Sequence, residues 1–507
     1  MADLYNASLL LDRNLEAGRG DKVAVRWARG EVTFAELHGL ACAAGLRLQE
    51  SGVRREERVL LPMDDSPALM AAFWGALRIG AIPVPVNPLL QRSEDYDHYF
   101  ADSLARVVVV DGLTAEKVGG AVGRAAEPVQ VLTDLELLEL PPADTAPAAT
   151  RRDDMAFWLY SSGSTGLPKG VVHLQHDIEY TCETYARQVL GIGETDVTLS
   201  TTKMFHAYGL GNSLTFPCWS GATAVLLSGR ATPAAVLDAI ERQRPTLFFS
   251  APTLYNAILN FEGAAGRDLG SIRRCTSAAE ALPVEVWRRW KETFGQEVQD
   301  GIGSTELLHI YCSNRPGELR PGSSGKPVPG YELKILDPDG APAATGEAGD
   351  MYVKGDSALA LYWGQHEKTK RSLLGEWFFS GDRYRRDEDG FFWYEGRSDD
   401  MMKVSGLWVS PIEIEGVLLE HPAVGESAVV GIEVEGFTKI KAYVIPKGTG
   451  SAALAEQLQE HCKSRLQRYQ YPHLIEFVSE LPKTVTGKIQ RYKLRQQPAA
   501  DEAPART

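Results

Sequence analysis

No stretch of this sequence strings together the ~18 apolar residues that a membrane-crossing helix requires. Met1 to Glu16 lack the basic start and uninterrupted apolar run of a secretory signal. Both absences predict a soluble protein. Cysteine is sparse: Cys42, Cys182, Cys218, Cys275, Cys312 and Cys462 are scattered, with no CxxC motif and no close pair. Most sit beside apolar residues and read as buried free thiols, a usage that suits a reducing cytoplasm. Positive charge is also in deficit, with 53 Lys and Arg against 67 Asp and Glu and a formal charge of −14. That argues against nucleic acid as a partner, because phosphate backbones are bound by clustered Lys and Arg. A small anion needs only one local positive site. No fixed-period repeat is present.

What is present is length and alternation. The 507 residues exceed the ~250–300 at which single cores stop growing, so more than one domain is expected. Hydrophobic residues make up 44 % and charged residues 24 %, an ordinary globular mix. Thr33-Phe34-Ala35-Glu36 is a capping box that opens a helix running towards Ser51. Ser66 caps a helix with Pro67 at its first position, and Thr232 caps another over Pro233–Gln243. Apolar runs at Arg58–Met63, Ile82–Val86, Arg106–Val110, Met155–Tyr160, Ala222–Leu227 and Thr246–Ser250 read as strands, and Asp177–Leu190 as a helix. Such alternation implies mainly parallel sheets covered by helices.

After about residue 320 the segments shorten and become strand–turn in character, as at Gly349–Lys354 and Gly390–Glu395. A different unit follows Arg397-Ser398-Asp399-Asp400. There Ser410 caps a helix begun by Pro411, strands follow at Ser427–Ile432 and Lys439–Ile445, and a helix runs near Leu454–Leu466. The expectation is an α/β fold. It has a large N-terminal domain (1–398) with mainly parallel sheets plus a smaller β-subdomain, and a small mobile α+β C-terminal domain (399–507). The tail from Gln497, rich in Ala and Pro, reads as frayed.

The most informative stretch runs Tyr160-Ser161-Ser162-Gly163-Ser164-Thr165-Gly166-Leu167-Pro168-Lys169-Gly170. Its glycines let backbone N–H groups approach an anion, its hydroxyls add donors, and Lys169 supplies charge to phosphate oxygens. A flexible linker does not usually follow an apolar strand and end in Pro-Lys-Gly. The spacing does not fit the G-x4-G-K-[ST] loop, since Gly163 and Gly166 are too close and Gly170 follows Lys169.

With this loop the sequence resembles the acyl-adenylate-forming superfamily of acyl-CoA synthetases, peptide-synthetase adenylation domains and luciferases. Further blocks recur in the family's order: Gly303-Ser304-Thr305-Glu306, Ser380-Gly381-Asp382, Gly396-Arg397-Ser398-Asp399-Asp400, Val404-Ser405-Gly406, Pro411-Ile412-Glu413-Ile414-Glu415, and Pro482-Lys483-Thr484-Val485-Thr486-Gly487-Lys488-Ile489. The resemblance implies ATP, Mg²⁺ and coenzyme A. It implies that Ser161 to Gly166 and Lys169 bind the nucleotide phosphates, that Glu306 helps hold Mg²⁺, and that Thr305 contacts phosphate or the acyl carboxylate. Asp382, assisted by Arg397, would accept hydrogen bonds from the ribose. Lys488 would supply charge during in-line attack on the α-phosphorus. Where many members carry an aromatic residue that stacks on adenine, this chain has Ile302 within Asp300-Gly301-Ile302-Gly303, so Asp300 becomes a candidate partner for the adenine amine.

Lys203-Met204-Phe205-His206-Ala207-Tyr208-Gly209-Leu210-Gly211-Asn212 and the stretch from Asp300 to Tyr311 most resemble the benzoate-CoA ligase branch. The implied acyl pocket draws on His206, Ala207, Tyr208, Gly209, Ala278, Ala279, Gly303 and His309, and suits a flat aromatic carboxylate with few substituents. Ala279 stands where many relatives carry Gly, and its methyl should shorten the pocket. His206 stands where benzoate-type relatives tend towards Phe, which brings 2-aminobenzoate and hydroxybenzoates beside benzoate as substrates. His206 and His309 are read equally as substrate contacts or as gating and packing residues. Two alternatives stand beside this reading. One is an aryl-acid adenylating enzyme that loads a carrier protein, although no carrier domain follows Lys488; the other is a non-catalytic nucleotide-binding protein on the same fold.

The resemblance places the hinge between half-reactions at Asp399, with Ser405 and Gly406 lining the thiol channel after rotation. Asp399→Pro is therefore expected to spare adenylate formation, read as diphosphate release, and to cripple thioester formation; equal loss of both would count against the hinge.

Overall fold

Short runs of β-branched and aromatic residues, such as Val107–Val110 and Leu247–Ser250, are buried along their whole length, as strands covered on both faces must be. The computed structural model describes residues 4–161, 167–398, 400–404, 407–434, 437–467, 469–483 and 489–495. Its largest sheet has nine strands. The central neighbours run parallel: Val298–Gly303, Arg274–Ser277, Leu247–Ser250, Val197–Ser200, Thr223–Val225 and Val23–Trp27. Antiparallel strands close both edges, Ile310–Ser313 with Lys326–Pro327 at one and Gly30–Thr33 at the other. A second, all-parallel sheet orders Ile82–Pro85, Arg58–Leu61, Val107–Val110 and Gln130–Thr133.

Every residue of the Pro67–Arg78 helix is buried. It packs against Phe34–Glu50 at glycine: a Cβ on Gly75 would lie 2.5 Å from the Ala41 carbonyl oxygen. Arg78, itself buried, donates to both oxygens of Asp12 at 2.7 and 2.9 Å, and His38 bonds the same carboxylate at 3.2 Å. The hydrogen bond to Asp12 raises His38 to about 9, so this buried cluster stays charged and paired at neutral pH.

A three-stranded antiparallel sheet of Met155–Ser161, Lys169–Leu174 and Leu361–Tyr362 carries the phosphate-type loop between its first two strands. An antiparallel β-subdomain follows, built on Ala348–Lys354, Trp377–Arg386 and Phe392–Arg397. The small C-terminal domain pairs the long hairpin strands Val424–Val434 and Phe437–Pro446 with a parallel Leu474–Phe477. The helices Pro411–Glu420 and Ala452–Lys463 complete it, around its own apolar cluster of Ile414, Leu418, Val429, Ile440 and Leu458. Arg491 is locked to Glu415 by bonds of 2.8 and 2.7 Å.

The expected caps at Thr33, Ser66, Thr232 and Ser410 are all formed. All six cysteines are buried and unbridged. Several boundaries shift by a few residues: the strand expected at Ser427–Ile432 runs Val424–Val434, and the helix expected near Leu454–Leu466 runs Ala452–Lys463. The helix expected from Asp177 starts at Gln175, because the Asp177 carboxylate reaches back to accept from the Leu174 N–H at 3.1 Å; from Cys182 to Leu190 it widens into π-helical turns. The segment expected to be strand–turn at Gly390–Glu395 divides into a turn and a strand that begins at Phe392; Asp387 Oδ1 accepts from the N–H groups of Asp389 and Phe391 and closes the turn, with Gly390 at φ +83°. No helix among the described residues is long and apolar enough to cross a membrane.

Two glycine-to-alanine replacements should move stability in opposite directions. Gly75→Ala is expected to cost about 2–3 kcal/mol, since backbone on both sides leaves the methyl nowhere to go. Gly119→Ala, exposed in the Ala115–Val122 helix with nothing within 4 Å, should gain roughly 0.4–1 kcal/mol. Calorimetric unfolding of both variants checks the pair; a loss at Gly119 would contradict the open site.

Candidate active site

Strand pairing builds the first part of the site. Leu361 and Tyr362 pair with Val172 and Val171, next to Lys169 at the start of its strand. The Lys169 ammonium sits 5.1 Å from the centre of the Tyr362 ring. Tyr362 Oη donates to Glu306 Oε1 at 2.9 Å, and Ser161 Oγ donates to the same oxygen at 3.3 Å. Ser162, Gly163, Ser164, Thr165 and Gly166 lie outside the described residues.

The turn that presents Thr305 and Glu306 is gripped from several directions. Ser304 caps it through its hydroxyl, which accepts from the Leu307 N–H at 3.3 Å. His173 Nε2 bonds the Thr305 carbonyl at 2.8 Å, and its Nδ1 bonds Asp177 at 2.7 Å, both side chains being fully buried. The Leu359 N–H donates to the Glu306 carbonyl at 2.7 Å, and Ser357 Oγ to the Leu307 carbonyl at 2.9 Å. Leu308, at φ 64°, is forced into the left-handed region where a branched side chain is strained. Such strain persists only where the surroundings over-determine it.

Asp382 and Arg397 face each other across neighbouring strands as a register pair, with Oδ1 and Nη1 3.2 Å apart. Arg397 also donates to the Ser380 carbonyl, and a Cβ on Gly381 would meet its guanidinium at 2.8 Å. Lys169 feels the charges of both Glu306 and Arg397, and buried Tyr311 feels Glu306, Asp382 and Arg397, so these groups share one electrostatic neighbourhood. Burial, followed by the nearby Lys368 ammonium, lowers Lys169 to about 8, with Glu306 opposing the shift.

A second, apolar region adjoins this one through the Val298–Gly303 strand. His206 caps the short helix Ala207–Leu210, its Nδ1 accepting from the Tyr208 N–H at 3.3 Å. Asp65 holds the preceding loop by accepting from the Met204 N–H at 3.0 Å, and Lys203 pairs with Asp64 at 2.6 Å. Gly209 is obligatory here, since a Cβ would fall 2.1 Å from the Lys203 carbonyl. Tyr208 Oη shares a 2.7 Å hydrogen bond with Thr276 Oγ1. His309 is enclosed by Tyr185, Tyr208 and Phe216, with ring centres 5.1, 5.5 and 4.5 Å away. Burial lowers its pKa to about 3, so the imidazole is neutral. Ala278 is buried and Ala279, at φ 78°, occupies a backbone region that favours glycine. A Cβ on Gly303 would lie 2.6 Å from the His309 carbonyl oxygen.

Asp300 is buried beneath these elements beside Gly301, and burial pushes its carboxyl well above the usual range. Ile302 is half-buried against the main core. The described residues thus bring Ser161, Lys169, Thr305, Glu306, Asp382 and Arg397 together on one side, and His206, Ala207, Tyr208 and His309 on the other; Ala278 and Ala279 directly follow the strand whose Thr276 is bonded to Tyr208. Asp399, Ser405, Gly406 and Lys488 lie outside the described residues. Sequence reasoning missed Tyr362, Lys368 and the His173–Asp177 pair. Only the His-x3-Asp spacing of the last offered a signal, and it is shared by countless helices.

Residues 11–363 match the AMP-binding enzyme family and residues 413–488 the AMP-binding enzyme C-terminal domain. The chain is 46 % identical to the benzoate–CoA ligase of Thauera aromatica, over 97 % of this chain and 96 % of that one. It is 33 % identical to the anthranilate–CoA ligase of Pseudomonas aeruginosa, over 93 % of each. Among solved structures, the anthranilate CoA ligase AuaEII in complex with anthranoyl-AMP superposes with a TM-score of 0.94 at 41 % identity, covering 98 % of this chain and 97 % of that one. A benzoate CoA ligase from Burkholderia xenovorans LB400 superposes at 0.91 with 44 % identity, covering 97 % and 100 %.

The phosphate-binding role expected of Lys169 requires its protonated form, and its folded value of about 8 sets where that charge is lost as pH rises. The kcat/KM for MgATP should therefore fall above pH 8, because that parameter follows the free enzyme. Lys169→Arg should keep the profile flat to about pH 10, guanidinium titrating above ~12. The same inflection in the arginine variant would assign it to another group.

Proposed function

The chain belongs to the AMP-binding enzyme family as an AMP-forming aryl-CoA ligase, and from that premise we propose how its residues divide the work and which acids it accepts. The overall reaction joins an aromatic carboxylate to coenzyme A, with ATP converted to AMP and diphosphate through an aryl-adenylate. The supporting observation is the junction of a cationic, carboxylate-bearing cluster (Lys169, Glu306, Asp382, Arg397) with an aromatic cluster around a neutral His309.

In the first half-reaction the Ser161–Gly166 loop and Lys169 take the phosphates, while Asp382 accepts from the ribose hydroxyls with Arg397 orienting it. Glu306 fits Mg²⁺: it is a hard oxygen donor, and among the described residues its hydrogen bonds from Ser161 and Tyr362 both fall on Oε1, so Oε2 is the oxygen that would face the ion. When bound, Mg²⁺ would supply positive charge to the phosphate oxygens. Thr305 steers the carboxylate towards the α-phosphorus, and Lys488 neutralises the charge that accumulates there. Rotation of the C-terminal domain (399–507) about Asp399 then withdraws Lys488 and brings Ser405 and Gly406 to the thiol channel. A cytoplasmic setting accords with the six buried free thiols.

The pocket supports benzoate or a benzoate with one neutral substituent such as an amino or hydroxyl group. A neutral imidazole among aromatic walls can exchange one hydrogen bond with such a group, whereas it cannot balance a second carboxylate. Asp300, rather than a stacked ring, is the proposed partner of the adenine amine.

Diphosphate release with MgATP and CoA, with the thioester identified by mass, tests the reading. Benzoate, 2-aminobenzoate and 4-hydroxybenzoate should exceed octanoate and benzene-1,4-dicarboxylate in kcat/KM. A preference for octanoate would overturn the pocket assignment, and adenylate without any CoA thioester would favour a carrier protein as acceptor.

A further inference from the structure

The His366–Ser372 helix is short and basic, with Lys368, Lys370 and Arg371 in seven residues. Lys370 and Arg371 are exposed, while Lys368 is half-buried and turned towards the site. The helix is docked there by Tyr362, whose N–H donates to Thr369 Oγ1 at 3.0 Å. Ser372, one turn beyond Lys368, lies beside the Tyr362 hydroxyl. The outcome is that the Lys368 ammonium stands 5.3 Å from the Tyr362 ring centre, against 5.1 Å for Lys169, and the two ammonium groups act directly on one another.

Two like charges brought together in a half-buried place repel and lose hydration. Among the described residues neither lysine forms an ion pair, and the carboxylate felt there, Glu306, already accepts from Ser161 and Tyr362. The ring face of Tyr362 offers each cation only a modest attraction. The arrangement is relieved by an anion with negative charge on more than one centre, spanning both ammonium groups beside the Tyr362 ring.

We propose that Lys368 is a second phosphate-binding residue, which with Lys169 seats the β- and γ-phosphates of ATP and holds the leaving diphosphate. This rests on the ligase reading above. It separates Lys368 from Asp382 and Arg397, which serve the nucleoside side and should be indifferent to the outer phosphates.

Calorimetric titration of the full-length chain with magnesium diphosphate, and separately with AMP, decides the matter for the wild type, Lys368→Ala and Lys368→Arg. In Lys368→Ala, diphosphate affinity should fall about tenfold or more and the KM for MgATP rise in parallel. AMP affinity should stay within about twofold, because AMP lacks the outer phosphates. Lys368→Arg should recover most of the diphosphate affinity, since the charge is retained. Parallel weakening of AMP and diphosphate would mean that Lys368 only supports the fold, and unchanged diphosphate affinity would overturn the proposal alone. A wild type that binds neither ligand would overturn the nucleotide-activating reading, and this proposal with it.

Discussion

Everything at the site depends on holding one short turn still. The Thr305–Glu306 segment is fastened at its backbone by His173 and by the Leu359 N–H, and at its carboxylate by Ser161 and Tyr362. These partners come from different parts of the chain and meet only in the folded protein. The Asp177–His173 pair makes the grip stiff, since a buried imidazole bonded at both nitrogens has neither tautomeric nor rotational freedom left. In return the turn organises its neighbours. It anchors the segment that delivers Tyr362 to Lys169, and it leads into His309 within the aromatic cluster. The charged cluster and the aromatic cluster are therefore positioned by the same few backbone atoms.

Charge is distributed in keeping with this economy. A chain with a formal charge of −14 concentrates Lys169, Lys368 and Arg397 around two carboxylates, Glu306 and Asp382, where burial strengthens each interaction. The surrounding negative surface does not weaken that site much, because exposed charges are screened within about 10 Å. The aromatic cluster follows the opposite rule. Its histidine is stripped of charge by burial, so any polar contact it makes is a neutral hydrogen bond.

Much of this was legible in the sequence. Caps such as Thr33 and Ser66 announce helices because the residue that satisfies the first backbone donors is adjacent in the chain. The ordered blocks from Ser161 to Lys488 identify the chemistry for a similar reason, since each is a local segment. Contacts between segments were not legible. Nothing in the Tyr362 region marks it as the partner of Glu306, 56 residues away, and a lysine in a basic helix reads as solvated until strand pairing turns it inward. The early start of the helix at Gln175 was hidden for a subtler reason. Asp177 fits the first helical position equally well, and only its bond back to Leu174 decides.

Ala279 stands at φ 78°, a conformation that costs an L-residue about 1–2 kcal/mol and glycine almost nothing. Replacing it by glycine would relax the backbone and remove one methyl group. The alanine therefore sits uphill of the residue its own backbone prefers, and in the aryl-acid site proposed above that methyl would set the depth of the pocket against a thermodynamic slope.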